Sequence, residues 1–407
     1  MLGRRGFLGC VLAEGLVLGC RPAFGQDYPI VKRKALKPVG PTLPDAKAIV
    51  PDERVNRLLA PVRERHELPG LIGALVRGET ISAIGAVGVR KLGNETAIRV
   101  TDRVHLGSCT KAMTATMLGT IVEEGKLSWN STIREIFPDR AKSLHPDFQA
   151  VTLAQLLSHR AGLPSNGPWW MLGRGKSTTE QRKVLLSGMM KGSPESAPGS
   201  RYAYSNAGYA IAGLMGEQVT GKSWENLMRE RLFEPLGMTT AGFGIPGKPG
   251  STIEPWGHRT ISGRLEPVQE DNAPALGPAG TVHVSMPDWA KFASLHLQAA
   301  RGKPRLLKEK TFRTLHTPGP GEEYAGGWLV VERSWAKGTA FNHAGSNTNW
   351  YVSIWIAPAR DLAILVATNE GGDPAAQGCE DATRALIQFA DASGPGSSTS
   401  RKRDGRG

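Results

Sequence analysis

Apolar residues recur at helical spacing through DERVNRLLAPVRERHEL (52–68), where Val55, Leu58, Leu59 and Val62 share one face, so a helix is predicted there. The next apolar run, LIGALVRGETISAIGAVGVRKLG (71–93), reads as two strands joined through Arg77-Gly78-Glu79, a hairpin signal. A long middle section, about 112–275, is dominated by helical patterns, tryptophans and Gly/Pro loops. WYVSIWIAPARDLAILVATN (350–369) gives a second hairpin, turned through Pro358-Ala359-Arg360-Asp361, and CEDATRALIQFA (379–390) gives a last helix. Strands near both ends with helices between them predict a sheet assembled from distant parts of the chain. The expected class is α/β (α+β): an antiparallel sheet from N- and C-terminal strands, flanked by helices, with a mostly helical inserted subdomain at about 112–275. This domain is assigned to 51–392, and no internal repeat is visible.

The flanks read differently. Residues 1–25 combine Arg4 and Arg5, a short apolar stretch and a small-x-small site at Ala23 and Gly25, the layout of an export signal. Arg4-Arg5-Gly6-Phe7-Leu8 resembles a twin-arginine signature, and Val17-Leu18-Gly19-Cys20 resembles a lipoprotein processing box with Cys20 as a membrane anchor. Either route leads to the periplasm or cell envelope. Residues 26–50, rich in Pro and Lys without periodicity, read as a linker, and 393–407 as a disordered tail.

Composition narrows the classes further. The chain has 407 residues, 40% apolar and 21% charged, enough for a large core. Fifty Lys+Arg against 37 Asp+Glu give a formal +13, but part of the excess sits at the two ends, so no basic run marks a nucleic-acid groove. Cys109 and Cys379 are the cysteines beyond the signal, which leaves one disulfide between them open. No cysteine or histidine spacing suggests a metal, and no cofactor is implied.

The chemistry starts at GSCTKAMTATMLGTIVEEGKL (107–127), where Ser108 stands three residues before Lys111 at the head of a helical pattern. Ser-x-x-Lys is weak alone, and Ser334-Trp335-Ala336-Lys337 repeats it in what reads as a turn between strands. On a helix, however, residues three apart share a face, so the Lys111 amine reaches the Ser108 hydroxyl. The helix dipole and burial both disfavour a charged lysine there, and the free N–H groups of a helix start are suited to an oxyanion. Two further segments carry matching chemistry. Tyr204-Ser205-Asn206 lies at a loop-to-helix junction, and His343-Ala344-Gly345 opens a strand.

Ser-x-x-Lys, Tyr-x-Asn and His-x-Gly in this order resemble the serine β-lactamase and penicillin-binding-protein superfamily, in its branch of class C β-lactamases, D-Ala-D-Ala carboxypeptidases and β-lactamase-like esterases. The resemblance covers about 52–390 and includes LLSHRAGLP (156–164), PGSRYAYSNAGYAIAG (198–213), the FEPLGM segment and GPAGTVHVSMPDWAKF (277–292). It implies Ser108 as the nucleophile of an acyl-enzyme, with Lys111 and Tyr204 as a coupled pair of bases. It implies Asn206 as a substrate and lysine partner, and an oxyanion hole from the backbone N–H groups of Ser108 and Ser346. The G-x-S-x-G elbow of the α/β-hydrolases is absent.

The third motif departs from the Lys-Thr-Gly of many β-lactamases. His343 is expected to be partly charged near neutral pH and Ala344 offers no hydrogen bond, so the grip on a substrate carboxylate beside Gly345 should be weak. The expected activity is hydrolysis of a small ester, amide or peptide, as an esterase or D-amino-acid peptidase. The alternatives are a class C-like β-lactamase or a penicillin-binding sensor that acylates without turnover. Tyr202 and Tyr209 read as packing aromatics, and His159 as a structural hydrogen-bonding residue. Cys109 should point into the core, and Trp169, Trp170 and Trp350 either line the cleft or pack. The oligomeric state is not fixed by the sequence.

Overall fold

The computed structural model describes residues 49–393 apart from 170, 171 and 174. The export signal with Cys20, nearly all of the linker and tail, and Trp170 lie outside these residues. The N-terminal strands are β1 (Gly70–Arg77), β2 (Thr80–Lys91), β3 (Asn94–Ala97) and β4 (Arg103–His105). In the middle lie β5 (Gly242–Phe243), β6 (Gly257–Ile261), β7 (Arg264–Val268) and β8 (Val282–Ser285). The C-terminal part adds β9 (Tyr324–Ala325), β10 (Trp328–Arg333), β11 (Gly338–Ser346), β12 (Tyr351–Ala357) and β13 (Leu362–Thr368).

Eight of these form one sheet in the order β3-β2-β1-β13-β12-β11-β10-β9, antiparallel throughout. Its centre joins the two ends of the domain, with Leu71 opposite Thr368 and Val76 opposite Ala363. Every residue of β13 is buried, because both faces are covered. Alternation assigns the residues to layers. Leu71, Leu75, Ile364 and Val366 pack under α1 (Glu53–Arg65) and the C-terminal helix Asp373–Ala392. Ile72, Ala74, Val76, Ala363 and Leu365 face the other way, into the large core that holds Trp289 and Phe292 of the helix Met286–Ala300. Each such Leu or Ile contributes about 1.5–3 kcal/mol by leaving water. Gly73 lets α1 and the C-terminal helix approach β1, since a Cβ there would lie 3.0 Å from Leu386 and 3.3 Å from Leu59.

The predicted architecture holds, with three corrections. The middle section is mostly helical but contains β5 and the β6–β7 hairpin, whose GHRTI and RLEPV strands carry too few apolar residues to alternate visibly. The last helix starts at Asp373, six residues early, with Pro374 in its first turn where a missing N–H costs nothing. Cys109 and Cys379 are both free and buried, so no disulfide joins them.

α2 (Thr110–Glu123) is the central helix, buried on nearly every side, with Lys111 fully enclosed. A helix apolar all round belongs in a core, and this one carries few polar residues besides threonines and Lys111. His258 fastens the base of the β6–β7 hairpin. Its Nδ1 lies 2.7 Å from the Asn369 carbonyl, its Nε2 accepts from Leu92 N–H, and its backbone bonds Asn349 and Gly371.

Burial holds six histidines below their ordinary pKa: His258 and His283 at about 4, His316 and His343 at about 3, and His159 and His296 well below 6.5. Each is neutral in the fold yet takes a proton near pH 6.5 when unfolded, so its stability contribution is complete above that pH. It is lost as pH falls towards the folded value, at up to about 1.4 kcal/mol per pH unit for each histidine. The urea midpoint is therefore expected to be level above pH 7 and to fall steeply between 6.5 and 4. A level midpoint down to pH 5 would contradict this.

Candidate active site

A 3-10 turn, Gly107–Cys109, joins β4 to α2 and presents Ser108 at the helix start. Gly107 takes φ 47°, where a side chain is strained, and its N–H donates to Nδ1 of buried His105 at 3.1 Å. His343-Ala344-Gly345 closes β11 instead of opening a strand, and the end of β11 lies directly on this turn. A Cβ at Gly107 would stand 2.4 Å from Ser346 N, and one at Gly345 would stand 2.0 Å from the Leu106 carbonyl and 3.0 Å from Ser108 N. Two glycines thus let two backbones meet, which brings the backbone nitrogens of Ser108 and Ser346 near one another.

Ser205 caps the helix Asn206–Thr220, its Oγ accepting from Gly208 N–H and donating to the Pro164 carbonyl. Its own N–H donates to His159 Nδ1 at 3.0 Å. The His159 ring lies against Tyr204 at 4.4 Å between centroids, and desolvation keeps it neutral. This cap fixes the two residues that flank it, Tyr204 and Asn206.

All four then converge. Tyr204 Oη lies 2.7 Å from Ser108 Oγ, and Lys111 Nζ lies 3.1 Å from the same oxygen. Nζ also donates to Asn206 Oδ1 at 2.7 Å and to the Ala279 carbonyl at 2.8 Å, and sits 4.7 Å from the Tyr204 ring centre. Carbonyl oxygens can only accept, so two N–H bonds of the lysine are committed. The third position of Nζ faces Ser108, as a lone pair in the amine or an N–H in the ammonium. One proton can pass between Oγ and Nζ without either side chain moving.

The supporting groups include several that sequence reasoning did not single out. Asn206 Nδ2 donates to Asn166 Oδ1 at 2.8 Å, which fixes the orientation of the Asn206 amide. Thr114 Oγ1 donates to the Pro278 carbonyl, and buried Arg182, set between Glu217 and Glu225, donates to Ala275. These bonds hold the segment whose Ala279 carbonyl meets the lysine. A backbone acceptor leaves no mark in a residue pattern, whereas Asn166, just beyond LLSHRAGLP, was within reach of it.

His343 corrects an expectation. Its Nδ1 lies 2.6 Å from the Ala344 carbonyl and its Nε2 is 3.0 Å from the Tyr324 hydroxyl, so the ring donates through Nδ1 and accepts at Nε2. Burial, with the Lys111 charge adding to it, lowers its pKa to about 3. It is uncharged at neutral pH rather than partly charged, and both nitrogens are engaged inside the protein. Among the described residues, no group of three or more His, Cys, Asp and Glu could hold a metal.

The other expectations separate cleanly. Cys109 is buried, with Sγ 3.4 Å from the His343 carbonyl, and burial pushes its thiol pKa far up. Tyr209 is buried and donates to the Leu157 carbonyl, while Tyr202 is 42% exposed at the edge of His159. Trp350 is core and Trp169 is half-buried against Leu172 and Leu185. Ser334 and Lys337 are exposed in the turn between β10 and β11, so their equal spacing assembles nothing.

Comparison with known proteins places the chain in a family. The family model described as Beta-lactamase matches residues 55–388. Penicillin-binding protein 4 of Amycolatopsis lactamdurans is 25% identical over 334 residues, 76% of this chain and 83% of that protein. An unguisins hydrolase of Aspergillus campestris is 25% identical over 340 residues, 78% of this chain but 61% of its own length. The octameric penicillin-binding protein homologue from Pyrococcus abyssi superposes with a TM-score of 0.70 at 22% identity, covering 83% of this chain and 77% of that one. Among the described residues no helix is long and apolar enough to cross a membrane. With its family match running over nearly all the described residues, the chain belongs to the Beta-lactamase family, within the superfamily of serine β-lactamases and penicillin-binding proteins.

Proposed function

We propose that the protein is a serine hydrolase that opens an ester or amide through an acyl-enzyme on Ser108. The observation that carries this is the convergence of Tyr204 Oη and Lys111 Nζ on one serine oxygen. Ser108 Oγ attacks the substrate carbonyl as its proton passes to the Tyr204–Lys111 pair, and that pair returns the proton to the leaving group. Water, activated by the same pair, then attacks the acyl carbon and frees Ser108. The N–H groups of Ser108 and Ser346 hold the oxyanion in both steps, an interaction whose removal costs about 10²–10³ in kcat per donor.

The neutral third motif supports a preference among substrates. His343 is engaged internally and Ala344 has no polar side chain, so no fixed cation there matches a substrate carboxylate. An esterase or D-amino-acid peptidase fits better than an efficient β-lactamase. The hydrolase among the relatives supports turnover rather than sensing alone. The Arg4-Arg5 start supports export to the periplasm or envelope before the enzyme acts.

The test compares a short-chain p-nitrophenyl ester and a D-alanyl p-nitroanilide with a chromogenic cephalosporin, with mass spectrometry of the quenched protein. Turnover of the first two at rates at least about 10²-fold above the cephalosporin, with a transient acyl mass on the Ser108 peptide, is expected. Fast cephalosporin turnover would mean that the third motif grips a carboxylate after all. A permanent acyl mass without product would replace the hydrolase by a sensor.

A further inference from the structure

The two donors of the oxyanion hole come from different parts of the fold, and a short segment, residues 270–272, touches the support of each. On the β11 side, Asp271 Oδ1 accepts from Asn347 Nδ2 at 3.2 Å, and the Glu270 carbonyl accepts from Asn349 Nδ2 at 3.1 Å. Asn347 and Asn349, one and three residues after Ser346, are 4% and 2% exposed, with Asn349 N–H donating to Asn347 Oδ1. On the nucleophile side, Asp271 Oδ1 lies 2.9 Å from Nε2 of His105, off the line of a good hydrogen bond. The His105 side chain is fully buried, and its Nδ1 accepts from Gly107 N–H, so a ring proton sits on Nε2, beside the carboxylate. Asn272 completes the grip by donating to the Gly280 carbonyl.

We infer that Asp271 and His105 are a positioning pair for the oxyanion hole. The carboxylate ties Asn347, and so Ser346, to the imidazole that fixes Gly107, and so Ser108. Neither residue touches the reacting atoms. A buried imidazole with one nitrogen committed to the Gly107 turn and the other 2.9 Å from a carboxylate is a costly arrangement for mere packing. The β11 end and the 3-10 turn already touch through Gly107 and Gly345, so small drifts of either backbone move both donors. This inference rests on the hydrolase reading above.

The test uses esters and their thionoester counterparts, in which C=S replaces C=O. Sulfur carries the developing charge at a longer bond and accepts hydrogen bonds poorly, so a well-set hole favours the oxygen ester, and a displaced hole narrows the ratio. Asp271→Leu and Asn347→Ala are expected to fold, to hold KM within about threefold, and to lose about 10²-fold in kcat on the oxygen ester, the cost of a displacement near 1 Å. The loss on the thionoester should be several-fold smaller. Asp271→Asn keeps an oxygen at the Oδ1 position and is expected to recover most of the rate. His105→Asn should recover more than His105→Leu, because an asparagine Oδ1 can accept from the N–H two residues on. Unchanged kcat in both Asp271→Leu and Asn347→Ala overturns the pairing. So does a loss equal for both ester types that follows the urea midpoint, since that marks a structural role. Turnover surviving in Ser108→Ala would instead overturn the hydrolase reading itself.

Discussion

Ser108→Ala is expected to turn over no ester or amide above background while keeping the parent's urea midpoint. Removing the nucleophile of a serine hydrolase costs about 10⁶ in kcat, so residual activity at even a thousandth of the parent would sink the assignment. Alanine fits because it removes only Oγ from a residue that is half-buried. Lys111→Met should be just as inactive but not as stable. It leaves the buried Ala279 carbonyl without its donor, at a cost of about 1–3 kcal/mol, and strips Asn206 Oδ1 of the same partner. The two variants therefore separate chemistry from architecture, with equal silence in an activity assay and different urea midpoints.

Gly345→Ala carries the second large effect. Its Cβ would stand 2.0 Å from the Leu106 carbonyl, 2.9 Å from Cys109 N and 3.0 Å from Ser108 N, all backbone atoms that cannot swing aside. The end of β11 must separate from the Ser108 turn, and Ser346 N–H leaves the proposed oxyanion position. A loss of about 10²–10³ in kcat is expected, the cost of one donor, together with a lower urea midpoint. The control is Gly188→Ala in the helix Thr178–Met189, where a new Cβ meets nothing within 4 Å and should add about 0.5–1 kcal/mol. A Gly345→Ala protein with full activity would show that the two backbones are not held in register at all.

Ser108, Lys111, Tyr204 and Asn206 were legible because their motifs together resemble a known family, and the helix starts they occupy leave a pattern of their own. The sheet was legible for a related reason: β1, β2, β12 and β13 are long and densely apolar. The β6–β7 hairpin was not, since it stands as a two-stranded pair with exposed or half-buried residues along most of its length. The carbonyl of Ala279, the hydroxyl of Tyr324 behind His343, and the Asp271–His105 contact are all long-range meetings of residues that are unremarkable in their own segments. The neutrality of His343 belongs with these, because it follows from burial and not from residue type.

The pairing of β1 with β13 also sets a schedule for the chain on the ribosome. Leu71 waits for Thr368, so throughout most of synthesis β1 has one unpaired edge, open to wrong partners. The site waits as well, because Ser346 arrives more than two hundred residues after Ser108. Contacts this distant make for slow folding, and Ser108 meets Ser346 only when almost the whole domain has emerged. A shortened chain would hold Ser108, Lys111 and Tyr204, and still lack the strand end that lies against the Ser108 turn.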